Sequence, residues 1–101
     1  MYEVIVDEAL VSKLEKIGKR NRSLVALFTQ AINSLRGLED PRSKGKPLKG
    51  KLAGFWRYRF GEYRLICDIQ DDVMTVVAFE FDHRSRVYHR LGSLLRHGRA
   101  R

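Results

Sequence analysis

Apolar and polar positions change their spacing several times along this chain, and each change marks an element. The β-branched run from Tyr2 to Val6 predicts a short strand. Asp7 then stands where a helix N-cap would, Glu8 suits the positive end of a helix, and Leu10, Leu14 and Ile17 recur at spacings of four and three. Gly18 is a natural stop. A second helix starts at Asn21 or Ser23 and ends at Gly37. It sets Leu24, Phe28, Ala31 and Leu35 on one stripe, widened by Leu27 and Ile32. Two amphipathic helices joined by a few residues predict an antiparallel hairpin.

Residues 38 to 54, "LEDPRSKGKPLKGKLAG", hold both prolines and no sustained period, so they are expected to form a long connection of functional use. Period two follows. Phe55 to Phe60 and Tyr63 to Gln70 read as strands separated by the Gly61–Glu62 turn, and a third run spans Val73 to Phe81 after Asp71 and Asp72. These make an antiparallel meander, which the first strand must also join. The expected fold is α+β: N-terminal strand, helix hairpin, three-strand meander packed on the helices, and a short C-terminal helix or tail. Residues 1 to 101 read as a single domain.

Alternation divides the meander into two faces. Trp56, Tyr58, Phe60, Tyr63, Leu65, Cys67 and Ile69 share one, apolar enough to receive the helices. Arg57, Arg59 and Arg64 share the other with Ile66 and Asp68. Like charges on neighbouring sheet positions repel by a few tenths of a kcal/mol up to about 1 kcal/mol. A surface that carries this cost without a structural return is a candidate anion site.

Charge strengthens that expectation. The chain has 20 Lys and Arg against 12 Asp and Glu, a formal charge of +8, and a domain this basic usually meets a polyanion. From Arg42 to Arg64 there are eight basic residues and one acid, Glu62; from Arg84 onward there are six basic residues and no acid. If the fold joins these segments, they form one positive surface, with Lys44, Lys46, Lys49 and Lys51 as its loop portion. The lone cysteine, Cys67, has no disulfide partner and falls on the apolar face, so it reads as a small buried hydrophobe in a reducing compartment. No apolar run approaches a membrane span, and the N-terminus lacks a signal peptide's basic region, so a cytoplasmic protein is expected. His89 and His97 lack acidic or cysteine neighbours at ligand spacing, so neither a metal nor a cofactor is implied.

The segments "DPRSKGKPLKGKLAGFWRYRFGEYRLICDI" and "FDHRSRVY" together resemble the RelE branch of the RelE/ParE toxin superfamily, the toxic halves of type II toxin–antitoxin pairs. The resemblance implies the fold deduced above. It also implies a ribosome-dependent endoribonuclease that cuts messenger RNA in the ribosomal A site by attack of a ribose 2′-hydroxyl on the adjacent phosphate. The implied partners are the ribosome, messenger RNA and a RelB-like antitoxin, with a toxin–antitoxin heterotetramer as one assembly. Positions matching the family's active residues are Arg57, Arg59, Arg64, His83, Arg84 and Tyr88, while Lys44, Lys46, Lys49 and Lys51 match a loop that contacts ribosomal RNA. Asp82 departs from the pattern, since many members have glycine there, and this bears on the backbone that aims His83.

The chemistry so implied divides the labour. Arginine holds phosphate oxygens in pairs and stays charged, so Arg57, Arg59 and Arg64 suit transition-state binding and not proton transfer. His83, whose ordinary pKa lies near 6.5, is the proton-transfer candidate. Arg84 is a candidate for phosphate binding, with anchoring of Asp82 or the chain terminus as the alternative. Tyr88 either meets phosphate or a base, or packs in the core. Two other functions remain open at this stage: a ParE-like inhibitor of DNA gyrase on the same fold, and a catalytically degenerate nucleic-acid-binding member.

Overall fold

The computed structural model describes residues 1–96, with side chains through residue 92. The elements follow in the order β1 (Glu3–Val6), α1 (Glu8–Gly18), α2 (Arg22–Arg36), β2 (Lys46–Pro47), β3 (Phe55–Phe60), β4 (Tyr63–Gln70), β5 (Thr75–His83) and α3 (Val87–Arg96). Asp7 caps α1 by accepting the Ala9 N–H at 3.1 Å, and Asn21 caps α2 by accepting the Leu24 N–H at the same distance. Each cap satisfies an amide that has no partner inside its helix.

The strands form a sheet in the order β1-β5-β4-β3-β2. β1 joins it as expected, running parallel to β5 from the Glu3–Thr75 pair to the Val6–Ala78 pair, while β3, β4 and β5 form the antiparallel meander. Gly61 supplies the φ of +58° that the two-residue β3–β4 turn needs. The last strand begins later than its apolar run suggested. Asp71–Val73 turn as a 3-10 helix that Met74 ends in the left-handed region at φ 46°, so β5 occupies Thr75–His83.

Leu10, Leu14, Leu24, Ala31, Ile32 and Leu35 from the helices meet Val4, Tyr58, Leu65, Cys67, Val76, Ala78 and Phe81 from the sheet in the main core. Full burial of one leucine or phenylalanine side chain contributes about 1.5–3 kcal/mol. Burial also pushes the Cys67 thiol up, leaving it an inert core residue.

The opposite face differs from a purely basic surface. A second apolar cluster lies there, in which Val87 and Leu91 of α3 cover Phe55 and Ile66, with Leu48, Leu52, Phe79 and Tyr88 packed around them. A bulge in β5 makes room for it. Ile66 pairs with Glu80 and the next residue, Cys67, with Ala78, leaving Phe79 as the extra residue. Phe79 therefore joins the second cluster and Phe81 returns to the main core, where it stacks on Tyr63. Among the described residues, no helix is long and apolar enough to cross a membrane.

Candidate phosphate-binding cleft

The lysine-rich connection is fastened to the sheet. Lys46 and Pro47 pair with Arg57 and Trp56. The Trp56 indole donates to the Lys44 carbonyl at 2.8 Å, and the buried Tyr58 hydroxyl donates to the Pro41 carbonyl at 2.5 Å. Gly45, at φ +73°, passes so close to β3 that a Cβ there would lie 2.3 Å from the Arg57 carbonyl oxygen. Arg42 braces the start of the loop: its guanidinium forms a two-pronged bond to Asp71 at 2.8 and 3.0 Å and lies over the Trp56 ring. Arg42 and the Tyr2 hydroxyl, both bonded to Asp71, hold that carboxyl below its usual range.

Between this loop, the β3–β4–β5 face and the start of α3 opens a cleft of about 1030 Å³. It is lined by Arg57, Arg64, His83, Arg84 and Tyr88, together with Lys46 and Lys49 from the loop. Seven of the ten residues singled out from the sequence therefore meet in one place. The other three do not line it. Arg59 and Lys44 border a neighbouring cavity of about 620 Å³, which shares Arg57 and Lys46 with the cleft, and Lys51 is exposed in the 3-10 turn at Gly50–Leu52. Among the described residues, the segment from Arg84 onward lines the cleft with Arg84, Ser85 and Tyr88. Arg99, Arg101 and His97 lie outside the described residues.

Arg64 is only 6% exposed, and its Nη1 donates to the carbonyls of Gly61 and Tyr63 at 2.9 and 3.0 Å. Its neighbours across the ladder are Arg59 and Asp82. None of Arg57, Arg59 and Arg64 forms an ion pair among the described residues. A guanidinium so enclosed, oriented by carbonyls and lacking a carboxylate, suits an incoming anion. Arg84 differs, since its Nε donates to Glu62 at 2.5 Å on the exposed rim. Among the described residues, Glu62 and not Asp82 is thus its anchor.

His83 packs edge-on against Tyr63 at 5.6 Å, and its Nδ1 accepts the Ser85 N–H at 3.1 Å. The neutral ring therefore carries its proton on Nε2. Ser85 Oγ, 2.8 Å from Nδ1, can accept from that nitrogen when the ring is cationic. Sequence reasoning missed Ser85, whose contact with His83 depends on how the chain turns after β5. Tyr88 is half-buried, resting on the second cluster, and it also lines the cleft.

Asp82 bends no backbone away from the site. Its Oδ1 accepts the His83 N–H at 2.7 Å, and Lys13, Arg86 and Arg90 surround the carboxylate at 3.2–3.5 Å. Burial alone would raise its pKa. The His83 N–H and the charges of Lys13 and Arg86 outweigh that effect and hold it below the usual carboxylate range. Because the folded value lies below the unfolded value of about 3.9, ionised Asp82 stabilises the fold above that pH, and the contribution disappears as pH falls through the folded value. Asp82→Asn should thus be less stable than the parent at pH 7, with the gap closing as pH falls below the ordinary carboxylate value of about 3.9 and through the lower folded value. Urea unfolding at each pH measures it, and a gap independent of pH would contradict the assignment.

A β-strand, a helix hairpin, an antiparallel meander and a helix crossing its far face define the RelE-like fold. The isolated E. coli RelE toxin shares it, with a TM-score of 0.54 over 95% of this chain and 98% of that one at 17% identity. The family model described as the ParE toxin of the type II toxin–antitoxin system parDE matches residues 4–88. Toxin RelG of Mycobacterium tuberculosis is 41% identical over 69 residues, which span 68% of this chain and 77% of that protein. A chain of the toxin–antitoxin complex RelBE2 from the same organism is 36% identical, with a TM-score of 0.66 over 83% of this chain and 92% of that one. The chain belongs to the ParE toxin family, the toxins of type II toxin–antitoxin systems within the RelE/ParE superfamily.

Proposed function

We propose that this toxin is a metal-independent, ribosome-dependent endoribonuclease that cuts messenger RNA in the cytoplasm, residues 1–101 acting as one domain. The observation that carries the reading is the buried Arg64 guanidinium, without a carboxylate partner among the described residues, in a cleft that also gathers Arg57, Lys46, Lys49, His83 and Tyr88. The likeness to RelG and to a chain of RelBE2 supports it.

In this reading a ribose 2′-hydroxyl attacks its 3′-phosphate, the P–O5′ bond breaks and a 2′,3′-cyclic phosphate results. Arg57 and Arg64 hold the phosphate oxygens as charge builds on them. The exposed Arg59 adds electrostatic attraction for RNA from the neighbouring cavity, and Arg84 reaches the phosphate when Glu62 releases it. His83 presents Nε2–H. With Nδ1 engaged by Ser85, the ring is arranged to donate to a phosphate oxygen or, when cationic, to protonate the leaving 5′-oxygen. The proton of the 2′-hydroxyl passes to a ribosomal group, directly or through the Tyr88 hydroxyl, which gives up its own proton as it accepts that one. Lys44, Lys46, Lys49 and Lys51 contact ribosomal RNA, and a RelB-like antitoxin, in a heterotetramer or a simpler complex, silences the toxin.

The family description also names ParE, so the test separates two activities. The purified toxin is added to translating ribosomes and messenger ends are mapped by primer extension, with DNA gyrase and supercoiled plasmid assayed in parallel. Codon-positioned cuts are expected. Intact messenger accompanied by gyrase-dependent DNA breaks would replace this reading with a ParE-like gyrase inhibitor.

A further inference from the structure

Beyond Ala78 the parallel pairing with β1 ends, and β5 becomes an edge of the sheet. Two carboxylates, Glu80 and Asp82, are buried along that edge at 2% and 7% exposure. Cations from two different helices converge on them. Lys13 of α1 reaches Glu80 at 2.6 Å and Asp82 at 3.3 Å, and also donates to the Phe81 carbonyl at 3.1 Å. Arg90 of α3 lies 3.4 Å from Glu80 and 3.5 Å from Asp82, and Arg86, just before α3, lies 3.2 Å from Asp82. A buried ion cluster of this kind is weak evidence for stability, because well-packed apolar residues serve as well. Its geometry gives it another use.

The segment between Asp82 and Arg86 carries His83, Arg84 and Ser85, and each of its amides is held. The His83 N–H goes to Asp82 Oδ1, the Arg84 N–H to the Glu62 carbonyl, the Ser85 N–H to His83 Nδ1 and the Arg86 N–H to the His83 carbonyl. Among the described residues, the helix that follows is docked by Val87 and Leu91, an i, i+4 stripe, with Tyr88 packed beside it. Arg86 and Arg90 form the adjacent stripe, about 100° round the axis on one flank, and Tyr88 lies about 100° round on the other, facing the cleft. Fixing the arginine flank therefore fixes the tyrosine flank.

We infer that Lys13, Glu80 and Asp82 are positioning residues: they clamp the 83–86 turn and the roll of α3, and so set His83 and Tyr88 against the arginines across the cleft. As a mechanism for cleavage this rests on the nuclease reading above. Lys13 lies on α1 and does not line the cleft, so its replacement leaves every proposed substrate contact in place.

The test compares the wild type with Lys13→Met and Lys13→Arg, at a temperature where thermal melts show all of them folded. Single-turnover cleavage of ribosome-bound messenger is expected to slow about tenfold or more in Lys13→Met with the half-saturating ribosome concentration unchanged, and to recover in Lys13→Arg. The imidazole resonances of His83 and the ring resonances of Tyr88 should shift in Lys13→Met and return in Lys13→Arg. If Lys13→Met does not fold, Glu80→Gln takes its place in the same measurements. A lower melting temperature with unchanged cleavage rate and unchanged resonances would overturn the inference and leave the cluster merely structural. A wild type that cuts no messenger would defeat the nuclease reading instead, while the resonances would still decide whether the clamp sets the site.

Discussion

Replacing Arg64 with alanine should lower single-turnover cleavage of ribosome-bound messenger about a hundredfold, the usual cost of removing one preorganised donor to developing charge. The reason is where Arg64 sits. Two backbone carbonyls hold Nη1, so the guanidinium keeps its orientation before substrate arrives, and burial limits the water that would screen it. Arg59 is its cross-strand neighbour and carries the same charge, yet it is exposed and borders the adjoining cavity. Arg59→Ala should therefore cost less than about fivefold, chiefly through weakened electrostatic attraction to RNA. Arg64→Lys separates charge from geometry: a lysine keeps the charge and loses the fork, and should recover only part of the lost rate. Equal losses at positions 59 and 64 would show that net charge, and not a preorganised site, drives the reaction.

The second large effect belongs to a residue without a side chain. Gly45→Ala should destabilise the protein by about 3 kcal/mol, combining the penalty of a left-handed φ with overpacking against a backbone. The clash is with the Arg57 carbonyl, the Trp56 indole nitrogen and the Tyr58 ring, none of which is a flexible side-chain end. The loop must lift, taking Lys46 out of register with Arg57. Urea unfolding reads the stability loss, and cleavage should fall along with it. Gly50, which also has positive φ but nothing within 4 Å of an added Cβ, is the control, since Gly50→Ala should cost only the left-handed penalty of about 1–2 kcal/mol. Similar losses at both positions would mean that backbone conformation alone, without the close approach, accounts for the effect.

Much of this architecture was legible because local periods carry it. The caps at Asp7 and Asn21, the stripe through Leu24, Ala31 and Leu35, and the alternation that places Tyr58 opposite Arg57 depend on residues a few positions apart. What escaped depends on pairing between distant segments. No periodicity marks Lys46–Pro47 as a strand, because two residues have no period; only contact with Arg57 and Trp56 makes them one. Ile66 looked like a lone apolar residue on a basic face, and it became the floor of a second core once α3 was laid across it. Lys13 carries no local signal, because the carboxylates it neutralises lie nearly 70 residues further along the chain. The candidate site was legible to the extent that seven residues meet, whereas the separation of Arg59, Lys44 and Lys51 from them follows from the course of the loop.

The bulge at Phe79 gives β5 two parities within one strand. Before it, even-numbered side chains, Val76 and Ala78, serve the main core; after it, odd-numbered Phe81 does, and the even positions carry Glu80 and Asp82. Were Phe79 instead paired in regular alternation, with no bulge, the strand would keep a single parity. The two carboxylates would then turn toward the apolar core, the phenylalanine would leave it, and the turn bearing His83 would arrive on the wrong side of the sheet. That one unpaired residue is what lets a continuous strand serve a hydrophobic core at one end and a charged cleft at the other.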